Sequence, residues 1–121
     1  MRFYCSDDTV DLEQYPYHVR DVHISDPFIL ADPKSRCYYT YVQFADTERF
    51  PDVETDKEHG VFYVLESKDL IHWSKPQICF RQNNFWADKD YWAPEVHIWK
   101  GRYYLFSSFR ADGHYRKCQC L

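Results

Sequence analysis

Two acidic residues sit beside prolines at the head of apolar, aromatic stretches. Asp26 precedes Pro27 in Ser25-Asp26-Pro27-Phe28-Ile29-Leu30, and Glu95 follows Pro94 in Trp92-Ala93-Pro94-Glu95-Val96-His97. An ionised carboxylate held in place can take a proton from water, and a neutral one can give a proton to a leaving oxygen. Proline fixes its own φ, so the chain beside it helps to aim the neighbouring side chain.

Each segment leads through a short polar turn into a Tyr-Tyr strand. The first reaches Cys37-Tyr38-Tyr39-Thr40-Tyr41 and the second Gly101-Arg102-Tyr103-Tyr104-Leu105-Phe106. This is one structural unit used twice, the mark of a propeller or solenoid. A propeller gathers the inner strands of its blades around one axis, where carboxylates from different blades can meet.

The elements that must carry these residues are strands. Aromatic residues make up 20% of the 121-residue chain, and aromatics suit a pleated, half-buried surface. No long stretch has helical periodicity, so the expected class is all-β. The first inner strand is expected over Val22–Leu30, interrupted at Pro27, followed by strands at Cys37–Phe44, Val61–Glu66 and Ile78–Phe80. Arg81–Tyr91 reads as a connection, and Val96–Trp99, Arg102–Phe109 and Tyr115–Leu121 as strands of a second unit. Residues 46–60 form a charged loop, and residues 1–20 an acidic lead-in with little regular structure.

Composition excludes several function classes. With 3 Gly, the chain cannot build a glycine-rich phosphate loop. A net charge of -4 gives no basic face for nucleic acid. The 5 cysteines are odd in number and scattered, and read as reduced packing residues. No His/Cys/Asp cluster has metal-ligand spacing, so no cofactor is expected. No apolar run reaches membrane-spanning length, and the N-terminus lacks the apolar core of a signal peptide, which favours the cytoplasm.

Three segments in this order resemble glycoside hydrolase family 43, five-bladed propellers that cut arabinose- and xylose-containing glycans. They are Asp26-Pro27-Phe28-Ile29, the blade-closing run Ser67-Lys68-Asp69-Leu70-Ile71-His72-Trp73, and Trp92-Ala93-Pro94-Glu95-Val96. The resemblance implies a carbohydrate substrate and inverting hydrolysis, with Asp26 as the general base. It departs at Ser25, where the family often has Arg. Without the family, Asp26 reads equally as a strand-entry aspartate bonded into a turn. Trp92 is either a sugar-stacking platform or blade-to-blade packing. Glu95 is expected to line the substrate pocket rather than act as the acid, and His97 to line it or serve as a structural hydrogen-bonder.

Propeller repeats use about 40 to 50 residues per blade. The chain therefore holds the first two blades, about 21–80 and, incomplete, 92–121. The family's general acid and pKa-tuning carboxylate belong to later blades, so the chain is expected to be inactive alone. Some relatives hold calcium on the propeller axis; nothing in this sequence shows such a site. The alternative is a non-catalytic carbohydrate-binding remnant, or one that self-associates through exposed blade faces.

Overall fold

A computed structural model describes residues 9–43, 61–81, 85–113 and 117–120. The charged loop at 46–60, residues 1–8 and part of the expected strand at 115–121 lie outside those ranges. The strands are β1 (Tyr17–His18), β2 (Phe28–Asp32), β3 (Cys37–Val42), β4 (Val61–Ser67), β5 (His72–Trp73), β6 (Gln77–Arg81), β7 (Lys89–Trp99), β8 (Arg102–Arg110) and β9 (Lys117–Cys120). The chain is all-β; a 3-10 turn at Val19–Asp21 is the one helical element among the described residues.

Strands β2, β3 and β4 form an antiparallel meander. β5 and β6 both pair with the outer edge of β4, at opposite ends: Ser67 faces Trp73, and Val61 to Val64 face Arg81 to Gln77. Together they act as one interrupted fourth strand, which completes a four-stranded blade. β1 adds to β5 at the rim, so the lead-in segment reaches into the sheet. The second sheet runs β7-β8-β9.

The turn chemistry is local and legible. Ser67 and Asp69 build the blade-closing turn. The Ser67 hydroxyl accepts from the Leu70 amide at 2.9 Å, and Asp69 Oδ1 accepts from the amides of Ile71 and His72 at 2.8 and 2.7 Å. Leu70 sits at φ 65, the strained position that these bonds hold. Trp73 closes the motif as a buried anchor among Tyr38, Val42, Tyr63 and Leu65. Tyr17, Val22 and Ile24 cover this face from the lead-in side.

Aromatic side chains join the two sheets. Phe62 is fully buried, with ring centroids 5.6 Å from Tyr91, 5.9 Å from Phe80 and 6.0 Å from Phe109. A polar latch lies at the far end of β2. Tyr103 donates its hydroxyl to Asp32 Oδ2 at 2.6 Å, while Asp32 also accepts from the Lys34 amide and the Ser35 hydroxyl at 2.9 and 3.1 Å.

These bonds, that of Tyr103 first, hold the Asp32 carboxyl below its ordinary value of 3.8 despite its burial. A carboxyl lowered by folding stabilises the fold above its unfolded value, and that contribution is lost as pH falls through the folded value. Stability is therefore expected to drop as pH falls below about 3.8. Tyr103→Phe should cost about 1 kcal/mol at neutral pH, since the bond is charge-assisted but half-exposed. It should also flatten the acid loss. Urea midpoints at pH 7 and pH 3 check both; an unchanged acid slope in Tyr103→Phe would contradict the latch.

Two expected boundaries are corrected. The first inner strand begins at Phe28 rather than Val22, because Asp26 takes φ 49 and breaks the extended run before Pro27. β7 begins at Lys89, inside the expected connection, and reaches Val96 through register shifts on both sides of Trp92. Those irregularities accommodate Pro94, which has no N–H for the ladder.

Candidate active site

Asp26 stands exposed at the entry to β2. Its φ of 49 is a left-handed conformation that aspartate tolerates better than most residues, and Pro27 fixes the next φ. Among the described residues the Asp26 carboxylate makes no hydrogen bond. The turn carboxylates differ. Asp32 is buried and held by Tyr103, Lys34 and Ser35. At Asp69 burial raises the pKa, but bonds from the His72 ring and the His72 and Ile71 amides outweigh it and leave the group lowered. Those two carboxylates are spent on structure, whereas that of Asp26 is open to a water or a ligand.

β2 and β3 pair with Phe28 opposite Tyr41, so Gln43, just past β3, lies at the same end of the sheet as Asp26. Gln43 Oε1 accepts from the Ala93 amide at 3.3 Å. That bond brings the irregular stretch of β7 to the Asp26 end. The Trp92 carbonyl accepts from the Ser107 hydroxyl at 2.6 Å, which fixes the backbone there, and the Trp92 side chain stays 36% exposed. The Ala93 backbone, next to Trp92, is therefore tied to the end of the first sheet at which Asp26 enters β2.

Glu95 and His97 lie farther along β7. Both are half-exposed, with His97 Nε2 3.5 Å from Glu95 Oε1. The His97 ring lies 5.2 Å from Phe28 and 5.7 Å from Phe106. His97 thus packs between rings of both sheets, with one edge free toward Glu95.

Register shows how the two units correspond. Phe28 pairs with Tyr41 and Glu95 with Phe106, each two residues past a residue at φ 49 that precedes a proline. The counterpart of Asp26 is therefore Ala93, and Glu95 answers to Phe28. Only the first unit carries a carboxylate at the turn. Gln43 was not singled out from sequence, because only strand pairing places it beside Asp26.

A separate cavity of about 250 Å³ is lined by Glu13, Gln14, Tyr39, Val64, Glu66, Ser74, Lys75 and Gln77. It lies toward the other end of the sheet, where Tyr39 pairs with Leu30 and Glu66. Tyr15 donates its hydroxyl to Glu66 Oε1 there at 2.5 Å. Among the described residues no group of three or more His, Cys, Asp or Glu could hold a metal ion.

The model of the glycosyl hydrolases family 43 matches residues 18–119. The chain belongs to glycosyl hydrolase family 43. All three motif segments fall within the match. The endo-arabinase from Bacteroides thetaiotaomicron VPI-5482 is similar in structure, with 31% sequence identity and a TM-score of 0.70. The match covers 88% of this chain and 33% of that one, so this family 43 chain spans about a third of its structural relative. No curated protein matches the chain.

Proposed function

We propose that this chain carries the general-base end of an inverting glycoside hydrolase site for arabinose- or xylose-containing glycans. Family membership and the endo-arabinase neighbour support it, and the latter favours arabinosides. The observation that carries it is the exposed Asp26 carboxylate, left unbonded by the described residues at the mouth of two family 43 sheets.

In this reading Asp26 accepts a proton from water as the water oxygen attacks the anomeric carbon. The bond to the leaving oxygen breaks, and a second carboxyl protonates that oxygen. Inversion needs the two carboxyl groups about 6.5 to 9.5 Å apart, with the water between. Asp32 and Asp69 are committed to turns, and Glu95 lies beside His97. The acid is expected from later blades of a complete propeller, so this polypeptide alone should bind sugar without turning it over. Trp92 offers an indole face to the apolar side of a sugar ring, while Glu95 and His97 line the approach.

A second reading is a non-catalytic binding or self-associating module. One observation favours it. Glu95, His97 and Trp99 alternate along β7 on an exposed face, with Phe106 opposite Glu95, and Trp99 is 59% and Phe106 40% exposed. This face corresponds to the one on which the first sheet receives the second, so it suits a further blade. Arabino-oligosaccharide titration separates the readings. Shifts at Asp26, Gln43 and Trp92 support the hydrolase site, and shifts confined to Trp99 and Phe106 support the second reading.

A further inference from the structure

We infer that Gln43 is a positioning residue that fixes the sugar platform against the general base. The inference rests on the proposed site and adds a residue to it. The pre-proline residue of the second unit, Ala93, lies at φ 49 with register shifts beside it. A non-glycine residue there costs about 1 to 2 kcal/mol and has lost its regular ladder partner. Its amide is exposed between those shifts, where either water or a side chain from the first sheet can take it up. Gln43 Oε1 does so at 3.3 Å, from the first sheet.

The bond has a second consequence. Gln43 follows β3 at the end where Asp26 enters β2, and Trp92 immediately precedes Ala93. One side-chain amide therefore ties the backbone carrying the indole to the sheet carrying the carboxylate. The Trp92 carbonyl is held independently by Ser107, from the next strand of its own sheet. Ser107 sets the shape of the irregular stretch, and Gln43 sets its place relative to Asp26. Without Gln43 both groups remain and the sheets stay joined through Phe62 and the Asp32–Tyr103 latch, but the irregular stretch of β7 loses its tie to the Asp26 end. Binding that uses the carboxylate and the indole together then weakens.

Two substitutions test this in the full chain. Gln43→Leu keeps much of the volume and removes the acceptor. Gln43→Glu keeps an acceptor oxygen at the same reach. The probe is a linear arabino-oligosaccharide, titrated against amide and indole resonances, with hydrogen exchange read at the Ala93 amide. Gln43→Leu should lose exchange protection at Ala93 and bind about threefold to tenfold more weakly, the worth of one hydrogen bond. Gln43→Glu should restore both. Thermal midpoints of the two variants should differ by no more than the worth of that one bond, a few degrees, which separates positioning from a loss of folding. Unchanged Ala93 protection in Gln43→Leu overturns the inference whatever the sugar does. If protection falls and affinity matches the wild type, the platform role is overturned. Failure of the wild-type chain to bind would overturn the site reading itself, while the exchange result still judges the Gln43 bond.

Discussion

Asp26→Asn, introduced into a complete propeller that contains this chain, is expected to lower turnover of arabinan substrates by about 10³-fold, within the usual range for loss of a general base. The amide cannot accept the proton of the attacking water at a useful rate. Binding should change little, because Asn preserves shape and also tolerates the φ of 49 at this position. Stability should shift by under about 0.5 kcal/mol, since the carboxylate is exposed and unbonded among the described residues. The signature is a fall in kcat with KM nearly unchanged. Near-normal kcat would remove Asp26 from the mechanism. A matching loss of stability would instead make it a turn residue like Asp32.

Phe62→Ala is expected to be the most destabilising single truncation, at about 3 to 5 kcal/mol. Phe62 is fully buried and meets Phe80 in its own sheet and Tyr91 and Phe109 in the second. Removing the ring leaves a cavity between two rigid sheets, which cannot close over it as a loop would. Small domains have only about 5 to 15 kcal/mol in all, so this loss approaches the limit of folding. Denaturant titration should show the midpoint collapse. Trp92→Ala, at a position 36% exposed, should lower it less. Equal effects of the two substitutions would show that the sheets are not joined through this cluster.

The sequence carried the motifs and the repeat well, because both depend on local chemistry. The Ser67–Trp73 run folds into the turn its hydroxyl and carboxylate dictate, and the Asp-Pro segment opens the first inner strand, whereas the Ala-Pro segment forms an irregularity inside β7. What was not legible depends on pairing across long separations. Asp32 lies in a turn next to Pro33, and nothing local announces its bond from Tyr103, 71 residues away, which joins the two sheets. Gln43 had no motif, and its bond to Ala93 spans 50 residues. The repeat itself was aligned through its acids, whereas the backbone aligns Asp26 with Ala93. A lone carboxylate at the turn, rather than a pair, is the arrangement this family member presents.

The most direct test of the account is to locate sugar binding on the chain. Isotope-labelled protein would be titrated with a linear arabino-oligosaccharide while amide and Trp indole resonances are followed. Saturable shifts are expected at Asp26, Gln43 and Trp92, extending to Glu95 and His97. Asp26→Asn should leave their pattern in place. Shifts centred on the Glu66 cavity, or no saturable shifts at all, would contradict the claim that the inner strands of these sheets open onto a glycoside-binding site.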